Sequence, residues 1–265
     1  MTGLAATGLD VSYGHRQSRR HVLHSVSVTV ARGSRVGVVG ESGCGKSTLA
    51  RSMLGLTRID RGEITLDGTA LNLKKRADRR RLHTTAQMIF QDPYASLDPR
   101  QKVGSALREA LRFGRWDEAA PTAADLLAMV ALNSRCAAAY PHEMSGGMRQ
   151  RVAIARALAM NPRYLLADEA TSALDVTTQA SILRLLRTIN QDRRMGLLLI
   201  SHNLAVIAQM TDHVYVMYRG SVVEHGTTTT VLHDPQHAYT RRLLSSVPRL
   251  PAGGPAAAAR ESDDH

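Results

Sequence analysis

The run Gly40-Glu41-Ser42-Gly43-Cys44-Gly45-Lys46-Ser47, continued by Thr48, sets three glycines, a lysine and a hydroxyl at the spacing G-x-x-x-x-G-K-[ST]. Glycines at these positions let the backbone wrap until successive N–H groups point inward at a phosphate, and a helix opening at Ser47 adds its positive N-terminal end. Lys46 reaches the β and γ phosphates of a bound nucleotide, and the Ser47 hydroxyl can coordinate Mg²⁺. A glycine-rich turn capping a helix would use the same glycines, but the spacing, the flanking strand and the Lys-Ser pair agree on phosphate. A second Mg²⁺ anchor is expected at the end of a neighbouring buried strand. Tyr164-Leu-Leu-Ala-Asp168-Glu169 supplies mostly apolar residues ending in two carboxylates. Asp168 would hold Mg²⁺ directly or through water, and Glu169 would polarise the attacking water. Alone, such a pair reads as caps for the helix that follows; beside the phosphate loop it reads as catalytic.

These groups need strands and helices to carry them. Short β-branched runs at 10–13, 25–31, 35–40, 63–67 and 87–90 predict strands, several bounded by glycine. From about residue 102 to 160 the pattern becomes helical: Val103, Ala106, Leu107, Ala110 and Leu111 recur at three-to-four spacing, and an Ala/Leu-rich stretch runs over 123–132. Strands return at 164–167, 197–200 and 213–217, with helical stretches at 177–191 and 204–210. This order predicts an α/β core over 1–101 and 161–247, interrupted by a helical subdomain at 102–160. The Pro-, Ala- and Gly-rich end, 248–265, is expected to be a flexible tail. No internal repeat is evident.

Composition sets bounds on function. With 265 residues, 43% apolar and 22% charged, the chain has the balance of a globular protein of one large or two small domains. Its apolar runs are too short to cross a bilayer, and the N-terminus lacks the basic and long apolar regions of a secretory signal, so export is not expected. The two cysteines, Cys44 and Cys136, cannot make a disulfide framework and fit a reducing compartment, with the cytosol as the expected address. The 34 Lys and Arg outweigh 23 Asp and Glu, a net +11 that favours phosphate ligands, nucleic acid or an anionic membrane surface. Six cations fall in the eight positions 74–81, and Arg16, Arg19 and Arg20 form a smaller cluster. Neither contains an aromatic stacking platform. A solvated surface is therefore preferred over membrane or partner contact, with nucleic acid behind both.

Two further segments carry a resemblance. Pro141-His-Glu-Met-Ser145-Gly146-Gly147-Met148-Arg149-Gln150-Arg151, and then Ala167-Asp-Glu-Ala-Thr-Ser-Ala-Leu-Asp175, resemble the signature motif, Walker B strand and D-loop of the nucleotide-binding domain of ABC transporters. The likeness covers about residues 8 to 247. It implies a P-loop NTPase core of ABC ATPase type with an antiparallel β subdomain and a helical insert. It also implies ATP and Mg²⁺ as cofactors, and two domains docked head to tail with each ATP between one P-loop and the partner's signature motif. Ser145-Gly-Gly147 opens a helix and so offers an anion cup of its own.

Residue by residue, the resemblance makes Tyr13 the aromatic that stacks on adenine. A lone Tyr at a strand end could instead be core edge. Gln91 matches the Q-loop glutamine that touches Mg²⁺ or the water and senses the transmembrane partner. His202 matches the switch histidine at the γ-phosphate, a position that could also be a simple cap. Asp175 matches the D-loop aspartate at the dimer interface. Met148 stands where glutamine is usual, which removes an amide from the partner's nucleotide and implies weaker contact with turnover retained. Ala170 stands where proline is usual and puts only local stiffness in doubt.

The segments 90–100 and 233–248 resemble those of importer ATPases for dipeptides, oligopeptides, nickel and metal-chelating opines. Longer peptide-importer members often carry a cysteine cluster after this point; the chain has no cysteine beyond Cys136 and is similar to shorter members, nickel-importer ATPases included. The branch implies a peripheral subunit on the cytoplasmic face of the membrane. Its partners would be two transmembrane permease subunits, a second ATPase subunit and, indirectly, an extracytoplasmic binding protein. No nucleic acid is expected. Two other readings compete: an accessory ATPase of a phosphonate-degrading complex, and a soluble ABC ATPase acting on nucleic acid. The 122 positions from Lys46 to Asp168 hold no sustained heptad run of the kind DNA-repair members insert.

Overall fold

The protein is seen as a computed structural model that describes residues 3–14, 19–116 and 119–245. The expected tail over 248–265, the last two residues of the expected core and Arg16 lie outside them. The chain opens with β1 (Gly3–Tyr13), β2 (Arg20–Ala31) and β3 (Arg35–Val39), then α1 (Lys46–Met53), β4 (Arg61–Leu66), β5 (Thr69–Ala70), α2 (Arg76–Thr85) and β6 (Ala86–Ile89). The helical stretch contains α3 (Val103–Leu111), α4 (Ala123–Met129) and α5 (Gly146–Leu158). After it come β7 (Tyr164–Asp168), α6 (Val176–Arg193), β8 (Gly196–Ile200), α7 (Leu204–Met210), β9 (His213–Tyr218), β10 (Ser221–Thr227), α8 (Thr228–His233) and α9 (Ala238–Ser245).

Two sheets result. An antiparallel sheet runs in the order β2-β1-β4-β5, and a larger one in the order β10-β9-β3-β8-β7-β6. In the larger sheet β9, β3, β8, β7 and β6 are parallel, and only β10 is antiparallel to its neighbour. The central strands are buried on both faces, which is why they read as unbroken apolar runs rather than alternating ones. Successive side chains point to opposite faces, and the core divides accordingly. Leu165, Ala167, Leu197 and Leu199 join the helical side. Tyr164, Leu166, Leu198 and Ile200 pack toward α1 and the antiparallel sheet.

The helical stretch is not continuous. Ala131 takes a left-handed φ of 54°, and the N–H of Leu132 returns to the carbonyl of Leu127 at 2.9 Å. This closes α4 at Met129, short of the expected 132. Its start is fixed by Thr122, which exchanges hydrogen bonds with Asp125 in a capping box. Most of the basic run becomes α2, with Lys74 and Lys75 just before it; only Leu82 and Thr84 of the helix are buried, so the cations lie on the surface. The first two strands start earlier than expected, since β1 and β2 pair from Gly3 against Ala31 onward.

Candidate functional site

The loop between β3 and α1 is shaped by glycines. Gly40, Gly43 and Gly45 have φ of 153°, 77° and 108°, values that disfavour a side chain. A Cβ on Gly40 would also stand 2.2 Å from the Met217 carbonyl oxygen on β9. Cys44 is buried within the loop; burial pushes its thiol up, with Lys46 opposing. The loop therefore fits against β9, and α1 begins at Lys46.

Lys46 is 5% exposed. Its Nζ donates to the carbonyls of Gly40 and Glu41, both at 2.9 Å, and lies 4.0 Å from Glu169 Oε1. A desolvated cation held mainly by neutral carbonyls suits an anionic ligand. Next to it, the Ser47 hydroxyl donates to Asp168 Oδ1 at 2.9 Å. Asp168 is 2% exposed. Burial pushes its carboxyl up, and the Ser47 bond and the charges of Arg51 and Lys46 oppose this. A hydroxyl and a buried carboxylate side by side are the hard oxygen donors that Mg²⁺ takes alongside phosphate oxygens, so the residues fit that ion.

Glu169 follows β7 with a left-handed φ of 46°, a conformation costing a non-glycine residue of the order of 1–2 kcal/mol. It is held there by its N–H to the Ile200 carbonyl at 3.0 Å and by its own carbonyl, which accepts from the Ser172 N–H at 3.1 Å. Around its carboxylate lie three groups from three other segments. Gln91 Nε2 is 3.4 Å from Oε2, His202 Nδ1 is 3.4 Å from Oε2, and Lys46 is on Oε1. Gln91 and His202 come from the chain just beyond the C-terminal ends of β6 and β8, beside β7 in the parallel sheet. Parallel strands bring all their C-terminal ends to one edge, and four of the expected residues meet there.

A cleft of about 830 Å³ continues from the loop, lined by Tyr13, Val22, Glu41, Ser42, Gly43, Cys44 and Thr48, and by Tyr218, Arg219 and Arg242. Tyr13 is 44% exposed, with its hydroxyl 3.4 Å from Thr57 Oγ1. The sequence reading gave no role to Tyr218, Arg219 or Arg242. Their sole sequence signal was that Arg242 falls in the 233–248 segment already noted as a family feature.

Ser145, Gly146, Gly147, Met148 and Asp175 form a separate group, and among the described residues no hydrogen bond or ion pair joins it to the loop. Ser145 caps α5 by accepting from the Met148 N–H at 3.3 Å. Asp175 caps α6, accepting from the Thr178 N–H at 2.9 Å and from the Thr177 hydroxyl; these bonds hold its carboxyl well below the usual range. Gly147 lies against α6 so closely that a Cβ there would stand 2.5 Å from Thr178 Cγ2. Met148 packs on the helical core, and Ala170 is buried beside it.

Compared with known proteins, residues 23–172 match the family described as ABC transporter. The chain belongs to the ABC transporter family. Residues 223–262 of this ABC protein match a second family, the C-terminal region of oligopeptide and dipeptide transporters. It is 47% identical to a glutathione import ATP-binding protein of Pectobacterium atrosepticum over 86% of its own length, and spans 37% of that relative. It is 42% identical to a putative peptide import ATP-binding protein of Brucella abortus, over 93% of this chain and 76% of that one. Among solved structures it resembles a dimeric ATP-binding cassette in a post-hydrolysis state bound to ADP and Pi. The TM-score is 0.74 and the identity 27%, with 85% of this chain and 98% of that one covered. The fold of this ABC protein is that of an ABC ATPase cassette.

Proposed function

We propose that the chain is the ATP-binding and ATP-hydrolysing subunit of an ABC importer for peptide-class solutes. One observation carries the reading: Lys46, Gln91 and His202 converge on the Glu169 carboxylate beside the Ser47–Asp168 pair. Glu169 then orients and polarises the attacking water, taking its proton as the bond to the γ-phosphoryl group forms. Lys46, with the loop N–H groups of residues 43–48, offsets charge on the β and γ phosphates. Gln91 and His202 fix the far side of the γ-phosphate and the water. Tyr13 stacks on the base across the cleft. Ser47, Asp168 and Gln91 would hold Mg²⁺, which would supply positive charge to offset that of the phosphates.

Ser145, Gly146, Gly147 and Met148 on a second copy or a related subunit would close over the triphosphate, with Asp175 at the joint. Their separation from the loop within one chain supports a site completed by a partner, and the dimeric ADP-bound relative supports the same arrangement. Nucleotide contacting two surfaces stabilises the closed pair over the open one. Closure would pass to two membrane permeases, served by an external binding protein, through the Gln91 segment and the helical insert. A groove of about 310 Å³ between them, lined by Leu56, Phe90, Phe113 and Arg156, supports that route. Peripheral attachment to the membrane's cytoplasmic face follows from this reading, and no helix among the described residues is long and apolar enough to cross a bilayer. The named relatives support the importer reading over the phosphonate-accessory and nucleic-acid alternatives, and within that reading they support peptide-class solutes over nickel or metal-opine complexes.

The deciding experiment is Glu169→Gln. Hydrolysis is expected to fall at least about a hundredfold, the lower end of general-base contributions, with ATP affinity retained. Near-native turnover in this variant would remove Glu169 from its role.

A further inference from the structure

Glu41, the residue after the first loop glycine, is bonded on three sides. Its carbonyl accepts from Lys46 Nζ at 2.9 Å. Its N–H donates to the hydroxyl of Tyr239, on α9, at 3.0 Å. Its carboxylate lies 3.4 Å from the Arg242 guanidinium, one helical turn further along α9. Tyr239 is 5% exposed and stacks on Tyr218 of β9 at 4.2 Å between ring centroids. The Arg242 guanidinium lies 5.4 Å and 5.8 Å from the two rings. The start of α9 is tied down separately, because the Glu224 carboxylate of β10 accepts from the N–H groups of Gln236 and His237 at 2.7 and 3.1 Å. All of these C-terminal anchors, Glu224, Tyr239 and Arg242, lie within the second family match, outside the region that matches the ABC transporter family.

We propose that this C-terminal region positions the nucleotide site, with Tyr239 holding Glu41 and, through Glu41, the ammonium of Lys46. The inference rests on the nucleotide-binding reading above and goes beyond it by giving α9 a part in ligand affinity. Tyr239 carries most of the effect. Its bond to a loop N–H is partly buried, whereas the Glu41–Arg242 pair is exposed on both sides and screened. The buried hydroxyl fixes the loop before any ligand arrives, so less ordering is left to be done on binding. Tyr239 is a positioning residue, since the bond it makes is to the loop and not to the phosphate.

The test compares the full chain with Tyr239→Phe, which keeps the ring stack and removes the hydroxyl. The readouts are the Kd of a non-hydrolysable ATP analogue with Mg²⁺ by calorimetry, the split of KM from kcat, and the Tm without nucleotide. Kd and KM are expected to rise about three- to tenfold, the loss of one ordinary hydrogen bond, with kcat at saturating ATP within twofold. A Kd within twofold of the parent, whatever the Tm, overturns the inference, because a bond that only stabilises the fold lowers Tm and leaves affinity alone. Should the variant fail to fold, amide exchange on the parent protein decides: the Glu41 N–H is expected to be protected without nucleotide, and exchange at the free rate overturns the proposal. A parent protein that binds no nucleotide removes the functional reading itself, a result distinct from a parent that binds and a variant that matches it.

Discussion

The Ser47 hydroxyl and the Asp168 carboxylate meet at 2.9 Å across 121 positions of sequence. That contact joins the start of α1 to the end of β7 and places the two oxygens proposed to face Mg²⁺ side by side. It is maintained by α1 packing against the sheet through Leu49, Ala50 and Met53, all fully buried.

Removing either oxygen should therefore act on the metal-dependent part of binding. For Ser47→Ala and for Asp168→Asn, ATP affinity measured with Mg²⁺ is expected to fall about tenfold or more, the lower range for a charge-assisted contact. Affinity measured in EDTA should change by less than threefold. Titration calorimetry in both buffers checks this, and equal losses with and without Mg²⁺ would take the metal role from the pair.

Gly147 is pressed against Thr178, and a Cβ at that position would stand 2.5 Å from the Thr178 methyl. Gly147→Ala forces Thr178 or the start of α5 to give way, and is expected to displace the Ser145 surface. The expectation is a drop in ATP hydrolysis of about tenfold with single-chain ATP affinity within twofold, because the loop site lies elsewhere in the chain. Steady-state hydrolysis paired with binding at low protein concentration separates the two; unchanged hydrolysis would argue against a partner surface at Ser145.

Tyr164 is fully buried at the start of β7, and its hydroxyl donates to Asp67 at 2.6 Å. Tyr164→Phe is expected to lower stability by about 1.5–3 kcal/mol, the range for hydrogen bonds to charged groups. Burial pushes the phenol up in the folded state, and the Asp67 bond and charge add to this. The folded chain thus keeps a proton that an unfolded tyrosine releases near pH 10. The stabilisation is complete below about pH 10 and declines as pH rises beyond it. Urea unfolding of both proteins at pH 8 and above pH 10 should show the gap narrowing; a constant gap would contradict the assignment.

Local signals were legible. The glycine spacing at 40–45 marked the turn from β3 into α1 because that geometry is set within eight contiguous residues. The α/β order followed from β7 and β8, whose apolar runs mark strands buried on both faces. Helix α2 was not read, since only Leu82 and Thr84 of its ten residues are buried and no hydrophobic period marks it. Strand β10 was missed for a similar reason: it lies at the sheet edge with no fully buried side chain. The end of α4 was misplaced because Ala131 takes a left-handed turn that glycine usually signals.

The sequence by itself determined the family, the glycine-rich loop and the types of residue proposed to do the chemistry, since each depends on short runs whose spacing is their meaning. Only the tertiary structure decided which of them meet. Lys46, Gln91, Glu169 and His202 converge because parallel strands deliver their C-terminal ends to one edge. The tie from Tyr239 to Glu41 spans 198 positions. Such a contact has no local pattern, because chain folding and not sequence distance sets which side chains share a few ångströms.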